Sequence, residues 1–571
     1  MLRIPKEMDD LQEWSREIVT ECMGSADERG GVYSRASQYY YMGSQDSRAA
    51  IYNKSKPFID KLAGFLMQPT DVRFNILYDT SEPEDVLERG QLCSEKLSAD
   101  FRQTDSDVIF AEAVVWSLIN GCQLLKVIPD NQTFRCAPVH PQNFGVLSET
   151  ILSLEEQEVF CHVSYPTMSR LRTELQQQNH PRTAEIMARI ESARQYERDQ
   201  SETNYMHQMV VGGLHPLGNV GDTPEAAGIV NIFPMPIPWR PQAKFLETVK
   251  LCELWVRDRE AEHPGDYTTI KLIYPDIIVE PVEPSKKRNL SRVPDRSPFI
   301  KVQGQPTPGY FWGRSMLADV QMLQDLLNKR LRDIKVMWDR NAAAPYTLTG
   351  FSGVTEDMYF KVINEGGFLS DSNPNAKATK MVEPPPQGYM EELEFIWKMF
   401  DEASGFSPIM SGQGEPGVRA GVHAQTLVRT SSPRLIDQAA RIERQLAETG
   451  YLAFRIMQAQ DPSIYVTDKG IEFRLLQMPE GFQVQVDSHS ASPAFAEDNR
   501  QIAAFLAKLG VVDPEDLIHM VHPPSADLIL SHVRRRQKAQ AQAAEQQKQE
   551  DLVRDVIGLP QANRGGGKRR R

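Results

Sequence analysis

A helix pattern of unusual length occupies residues 313–341, GRSMLADVQMLQDLLNKRLRDIKVMWDRN. Apolar side chains recur there at steps of three and four residues, the spacing of one face of an α-helix, and such a helix would span about 40 Å. A second helix pattern, GYMEELEFIWKMFDEAS, follows a short, extended stretch that ends in EPPP. The sequence therefore predicts two long helices that enclose a short, extended unit at residues 345–386. The apolar positions are Met316, Val320, Leu323, Leu327, Leu331 and Ile334 in the first helix, and Met390, Leu393, Trp397 and Phe400 in the second.

A third helix pattern runs over residues 422–458, behind the Gly- and Pro-rich segment GFSPIMSGQGEPGVRAG. Pro433 lies inside it, and we expect this residue to kink or restart the helix because it lacks a backbone N–H. The next segment, IEFRLLQMPEGFQVQVDS, alternates apolar and polar residues and predicts a pair of strands. Residues 495–553 are predicted to be helical. Their Gln/Ala-rich run has no apolar stripe suited to a core, so it is either a solvated helix or a helix packed among copies of itself.

The first half of the chain alternates helix and strand patterns. An opening amphipathic helix is marked by Leu11, Trp14, Ile18 and Val19, and further helices are predicted at 51–67, 85–101 and 108–119. The segment GCQLLKVIPDNQTFRCAPVHPQNFGVL at 121–147 then changes to strand chemistry around a Pro-Asp-Asn turn. Residues 166–199 predict a polar, solvent-facing helical region, and residues 245–283 predict at least two strands. These patterns together indicate a mainly helical α+β chain.

Length and charge limit the class of protein. The chain has 571 residues, enough for two to four domains, and a net charge of −13, which argues against a protein that coats itself in nucleic acid. Its apolar runs end well before the roughly 18 to 20 residues that a membrane span needs. The N-terminus, MLRIPKEMDDLQEWSREI, carries acidic residues where a signal peptide has its apolar core. We therefore expect a cytosolic origin and no membrane partner.

The six cysteines form no C-x-x-C pair, so they lack the spacing of a zinc site. In a cytosolic chain we expect reduced, mostly buried small apolar residues. They are Cys22, Cys93, Cys122, Cys136, Cys161 and Cys252.

The segment GQGEPG at 412–417 matches the G-x-G-x-x-G spacing of dinucleotide-binding folds. That mechanism needs a strand leading in and backbone N–H groups aimed at the phosphates, but here a helix leads in and Pro416 removes a donor. Glu415 also places a negative charge beside the supposed phosphates. Asp437 follows at the distance of a ribose-binding acid, but it lies inside a helix pattern. The segment is better interpreted as a glycine-hinged loop.

No other motif indicates catalysis, a metal or a cofactor, so we predict no catalytic residues, no metal ligands and no enzymatic activity. His519 and His522 could share a helix face, but no third ligand is evident nearby, and ordinary histidines are the simpler interpretation. Five cations lie within twelve residues of the first long helix. They form either a solvated charged face or a surface that faces a polyanion once several copies surround it. These residues are Lys329, Arg330, Arg332, Lys335 and Arg340.

The order of these elements resembles the portal proteins of tailed bacteriophages. The segment 121–147 is similar to the family's wing segment, whose Pro–x–x–Phe–x–Val run is matched by Pro141, Phe144 and Val146. The segments 313–341 and 388–406 resemble the two stem helices. GQGEPGVRAGVHAQTLVRTSSP is similar to the family's tunnel loop followed by a long helix, although Ala420-Gly421 stands where many relatives have Ser-Gly.

The resemblance implies a mainly helical α+β subunit with wing, stem, clip and crown, which forms a ring around a central channel. It divides the chain into segments, beginning with a wing at 1–310 that has a polar helical insertion near 166–235. A first stem helix at 311–341, a clip at 342–387 and a second stem helix at 388–405 follow. The remaining segments are a tunnel loop at 406–420, a long wing helix and strand pair at 421–490, a helical crown at 491–556 and a flexible basic tail at 557–571.

The implied function is a portal: a ring of about twelve copies at one capsid vertex, through which DNA is packaged and ejected. The implied partners are further copies of the chain, double-stranded DNA in passage without sequence recognition, the terminase large subunit, a head-completion or adaptor protein, and the major capsid and scaffolding proteins. The implied location is the virion, and the host cytoplasm during assembly. The tunnel-loop residues expected to meet DNA are Gln413, Glu415, Val418 and Arg419.

Two other hypotheses stay open from the residues alone. One is another oligomeric virion protein, such as a collar or adaptor, which would lack the clip-like unit at 345–386. The other is an enzyme that binds a nucleotide at 412–417.

Overall fold

The computed structural model describes most of the chain up to residue 486. The described residues are 3–44, 52–67, 72–78, 83–130, 132–177, 180–191, 249–257, 267–273, 277–280, 296–342, 346–365, 373–382, 388–405, 433–466, 472–479, 481–486, 505–508 and 517. Within them the fold is α+β and mainly helical, as the sequence predicted.

The helices are α1 Met8–Cys22, α2 Ala26–Met42, α3 Ser55–Leu66, α4 Glu84–Gln103, α5 Ser106–Asn120, α6 Met168–Gln177, α7 Gln321–Ala342, α8 Glu356–Glu365, α9 Tyr389–Ser404 and α10 Pro433–Gln460. The strands are β1 Phe74–Tyr78, β2 Gln123–Asp130, β3 Thr133–Val139, β4 Phe144–Val146, β5 Val159–Ser164, β6 Leu251–Arg257, β7 Tyr267–Ile273, β8 Ile277–Glu280, β9 Phe299–Val302, β10 Tyr346–Thr349, β11 Lys377–Lys380, β12 Tyr465–Val466, β13 Glu472–Phe473 and β14 Phe482–Val486.

A three-stranded antiparallel sheet, in the order β3-β2-β9, organises the largest core. Helices α5 and α10 pack against it, and α2, α3 and α4 pack around α5. In α10 the buried side chains recur at steps of four, three and four residues, the spacing of one helix face. They are Leu435, Ala439, Ile442 and Leu446.

A five-stranded antiparallel sheet, in the order β4-β5-β6-β7-β8, is covered on both faces. One face packs against α1, whose buried Leu11 and Ile18 belong to the same cluster as Val159 and Leu254. The other face carries an aromatic cluster and the cluster that includes α6 and residues 186–190. Because both faces are buried, β6 is buried at every position from Leu251 to Val256 and shows no alternation.

Helices α7 and α9 pack against each other and enclose the unit β10–α8–β11. We call α7 and α9 together the helical hairpin, and β10, α8 and β11 the linking unit. The helices that the sequence predicted around 8–22, 51–67, 85–101, 108–119 and 388–405 are present in the structure. The predicted helix at 422–458 is described from Pro433 onward.

Several sequence predictions differ from the structure. The predicted strand pair in 471–486 is wrong, because β13 pairs with β12 and β14 pairs with β1. The first long helix begins at Gln321 and not at Gly313. A 3-10 turn over Met316–Asp319, capped by the Ser315 hydroxyl, precedes it. Residues 345–386 are not only extended, because they contain α8.

The polar region at 166–199 also differs from its prediction. Its described part does not simply face solvent, since Leu171, Leu175 and Ile186 are buried against the five-stranded sheet. The many charged residues of this region make its few apolar positions difficult to recognise in the sequence.

Candidate functional site

The helical hairpin is held to the body by two buried amide side chains of α7. The Gln324 Oε1 accepts the backbone N–H of Lys54 at 3.0 Å, and its Nε2 donates to the carbonyl of Tyr52 at 2.7 Å. The Asn328 Oδ1 accepts the N–H of Tyr52 at 3.0 Å, and its Nδ2 donates to the carbonyl of Gly43 at 2.8 Å. In both side chains the amide oxygen accepts a backbone N–H and the amide nitrogen donates to a backbone carbonyl. These four hydrogen bonds fix the position of α7 on the segment between α2 and α3.

A lysine joins the second helix of the hairpin to the same segment. The Lys54 Nζ lies 2.8 Å from the Asp401 carboxylate and donates to the Trp397 carbonyl at 3.1 Å. It also lies 3.9 Å from the centre of the Trp397 ring, within the range of a cation–π contact. Burial lowers the pKa of Lys54, and the Asp401 carboxylate opposes this shift. The C-terminal half of α9 is therefore held to Lys54, the residue that precedes α3, by an ion pair, a hydrogen bond and a cation–π contact.

The two hairpin helices meet through apolar side chains and one ion pair. Leu327 of α7 and Ile396 and Phe400 of α9 are buried. Beyond them the Arg330 guanidinium pairs with the Glu392 carboxylate at 2.7 Å. The Tyr389 hydroxyl donates to the Arg330 carbonyl at 3.0 Å. Arg330 is thus engaged inside the hairpin, and it also contacts Asp333 on its own helix.

The linking unit is a two-stranded antiparallel sheet with one helix. Thr347 of β10 is opposite Thr379 of β11, and α8 lies between these strands in the chain. Gly350 follows β10 with a positive φ of 78°, a conformation that favours glycine. The described side chains of β11 are mostly exposed, so the unit stands in solvent in the single chain.

Exposed apolar side chains concentrate on the hairpin and the linking unit. Half of the large apolar side chains that are exposed among the described residues lie between 322 and 399. Isolated exposed apolar residues are ordinary, whereas a concentration of this kind is typical of a surface that further residues of the chain or another molecule cover. They are Met322, Leu326, Val336, Trp338, Met358, Phe360, Met381, Val382, Met390, Phe395, Trp397 and Met399.

Four of the five cations singled out in the sequence are exposed along α7. They are Lys329, Arg332, Lys335 and Arg340, whereas Arg330 is partly covered by its contacts with α9. The other site residues predicted from the sequence, Gln413, Glu415, Val418 and Arg419, lie outside the described residues, as do His519 and His522. The predicted crown and basic tail also fall almost entirely outside them.

The cysteines are buried and unpaired, as the sequence predicted. Burial raises the pKa of Cys22, Cys93, Cys122 and Cys136 to about 12, so these thiols are neutral at pH 7 and poor nucleophiles. Burial also lowers the pKa of His140 to about 3, so its ring is neutral. Across the described ranges, no group of three or more His, Cys, Asp or Glu side chains could hold a metal ion.

A buried charge cluster lies where the two main sheets meet, and the sequence patterns gave no sign of it. The Lys126 ammonium of β2 pairs with the Glu253 carboxylate of β6. The His162 ring of β5 lies 3.5 Å from the same carboxylate. Burial raises the pKa of Glu253, but Lys126 and then His162 more than offset this, so the pKa lies well below its usual range. Burial lowers the pKa of His162, Glu253 opposes this shift, and Lys126 adds to it.

Comparison with known proteins adds no assignment: no protein-family model matches the chain, and no curated protein sequence matches it. The helices in the described part of the chain are all too short or too polar to cross a bilayer.

Proposed function

We propose that this chain is the subunit of a portal, a ring of about twelve copies at one capsid vertex whose channel carries DNA during packaging and ejection. The observation that carries the proposal is the helical hairpin with its exposed apolar side chains. Contacts of α7 with the segment between α2 and α3 involve Gln324 and Asn328, while the residues from Lys335 to Arg340 are mostly exposed. Such a hairpin needs neighbours to cover it.

The order of elements supports a portal over a collar or adaptor. An α/β body precedes α7, the linking unit interrupts the hairpin where the clip is expected, and α10 follows α9 as the long wing helix. A collar or adaptor with a plain helical core needs no such unit. The proposed crown at 491–556 and tunnel loop at 406–420 complete the subunit.

Charge is compatible with DNA in passage. A chain with net charge −13 does not grip phosphates tightly when its copies surround a duplex, and a few cations limit the repulsion. The contact with DNA is expected to be independent of base sequence, because it involves phosphates and not base edges. Gln413, Glu415, Val418 and Arg419 are the proposed tunnel-loop residues.

The proposed partners are those that the resemblance to portal proteins implies. We assign the terminase large subunit, and after packaging a head-completion or adaptor protein, to the linking unit, where Met358, Phe360 and Met381 are exposed. Major capsid and scaffolding proteins are assigned to the body that forms the wing. The proposed location is the portal vertex of the virion, and the host cytoplasm during assembly.

Imaging of the purified full-length chain tests the proposal. Mass photometry and negative-stain microscopy are expected to show closed rings of roughly a dozen subunits with a central channel. A chain that stays monomeric at micromolar concentration, with scaffolding protein and over a range of salt concentrations, contradicts it. In assembled particles, Glu415→Lys or Arg419→Glu is expected to leave rings intact and to change DNA packaging or retention.

A further inference from the structure

We propose that the outer faces of α7 and α9 are the two halves of one contact between neighbouring copies, with α7 of one copy against α9 of the next. The inference rests on the proposed ring and specifies which surfaces close it. It also assigns two exposed cations of α7, Lys329 and Arg332, to the contact between subunits and not to the DNA channel.

The outer face of α7 is a basic stripe. Lys329, Arg332, Val336 and Arg340 follow one another at steps of three, four and four residues, so they share one side of the helix, and all four are exposed. The opposite side carries Leu327 and Arg330, which contact α9 or are buried. In the described residues Lys329 takes part in no ion pair. Asp325 and Asp333 lie on the same side of the helix, but each is engaged within the chain: Asp325 accepts a hydrogen bond from the Tyr39 hydroxyl, and Asp333 contacts Arg330.

The outer face of α9 is an acidic stripe with the same spacing. Glu391, Glu394, Lys398 and Glu402 also follow at steps of three, four and four residues, and all four are exposed. The inner side of α9 carries Tyr389, Glu392, Ile396 and Phe400, which face α7 or the core. Neither Glu391 nor Glu394 forms an ion pair with any described residue. The hairpin is therefore basic on one side and acidic on the other.

The two stripes share a height only near the Arg330–Glu392 pair; beyond it the basic stripe continues away from the body and the acidic stripe towards it. Arg330 is level with Glu392, since their side chains pair, and the helices run in opposite directions. With a rise of 1.5 Å per residue, Lys329 lies within about 3 Å of Glu391 and Glu394 along the axis. Copies related by a rotation axis stand at equal heights. Lys329 and Arg332 of one copy can thus meet Glu391 and Glu394 of its neighbour without a shift along the axis.

A contact between two different faces is heterologous and can close into a ring, whereas a contact of one face with itself stops at a dimer. A DNA channel would account for the basic stripe alone. A neighbouring copy accounts for both stripes.

Paired charge reversals in the full-length chain test this contact. The basic-stripe variant carries Lys329→Glu and Arg332→Glu, and the acidic-stripe variant carries Glu391→Lys and Glu394→Lys. Each variant alone places like charges opposite each other, so we expect the concentration for half-assembly to rise at least about tenfold at low salt. Mixed one to one, the two variants restore opposite charges at every contact, and alternating rings are expected by mass photometry.

The control is Glu13→Lys with Glu17→Lys, an equal charge change on exposed positions of α1. It is expected to assemble as the wild type does. The mixture can assemble only if both variants are folded. Assembly of the mixture therefore shows that each variant alone failed because it lost the contact and not because it misfolded. If both variants form rings alone, or if the mixture does not assemble, the inference is overturned while wild-type rings still support the portal. If the wild-type chain forms no rings, the proposed function itself fails.

Discussion

Removal of Lys126 tests the electrostatics of the junction between the two sheets. In Lys126→Met the apolar stem of the side chain is largely kept, and the ammonium that pairs with Glu253 is lost. The Glu253 carboxylate is buried, so it stays in a medium of low dielectric constant with His162 and Lys271 as its remaining neighbours. Breaking a buried pair from one side costs about 3 to 5 kcal/mol of unfolding free energy.

The size of this cost depends on pH, and the direction follows from the two shifted groups. The pKa of Glu253 is lowered in the folded protein, so its stabilising effect is present above its unfolded pKa and is lost as pH falls towards the folded value. The pKa of His162 is lowered by burial and by Lys126, so folding is favoured when the ring is neutral. Without Lys126 the ring gains a proton more easily, and its charge then compensates Glu253. The penalty in Lys126→Met is therefore expected to be smaller at pH 5.5 than at pH 8.

Hydrogen exchange read by mass spectrometry, with chemical denaturation at the same two pH values, measures the effect. Peptides that cover β5 and β6 report local opening of the five-stranded sheet. The control is Lys56→Met, which breaks a pair with Asp60 whose side chains are 47% and 45% exposed. An exposed pair of this kind is worth about 0 to 1 kcal/mol. An equal loss in the two variants, or a penalty in Lys126→Met that does not change with pH, refutes the reasoning.

Three further predictions concern the hairpin and its surroundings. Asn328→Leu leaves the Tyr52 N–H and the Gly43 carbonyl without their partner, and we expect a loss of about 2 to 4 kcal/mol by denaturation. Gly121→Ala places a Cβ 2.7 Å from the backbone N of Arg314 at a φ of +97°, so a loss of about 2 kcal/mol or more is expected, measured in the same way. Arg330→Gln removes a half-exposed ion pair, and its effect on the unfolding midpoint is expected to be much smaller than that of Asn328→Leu.

Most helices of this fold could be predicted because their apolar spacing is regular. In α1 the predicted positions Leu11, Ile18 and Val19 are buried, as the sequence pattern indicates. In α9 the predicted face was wrong in part: Phe400 is buried, but Met390 and Trp397 are exposed, and the buried side chain is instead Ile396. Helix α2 was missed, since Gly30 and Gly31 interrupt it and its apolar periodicity is weak. The Cβ of any larger residue at position 30 would lie 2.4 Å from the Gln142 side chain, so this glycine allows a close approach and does not mark a turn.

Strand partners were less predictable than strands. β14 was recognised by its alternation, but its partner β1 is about 400 residues earlier in the chain, and nothing local to either segment specifies the pairing. The same limit applies to the buried charges. His162 and Glu253 lie opposite each other on neighbouring strands of one sheet, and Lys126 reaches them only because the two sheets pack against each other. Long-range pairing of this kind depends on the tertiary fold and not on the sequence spacing.

The two sides of α7 use different chemistry, and the difference has a mechanical consequence. Towards the body, Gln324 and Asn328 bond to backbone groups that are buried, and each bond would be broken by a shift of about one residue. On the outer side, long cationic side chains in solvent can follow a carboxylate over several ångströms at little cost. The angle between hairpin and body is therefore fixed in each copy before assembly, while the proposed contact between copies tolerates small displacements. A ring built in this way keeps its hairpins in register and takes up strain at the contacts between subunits.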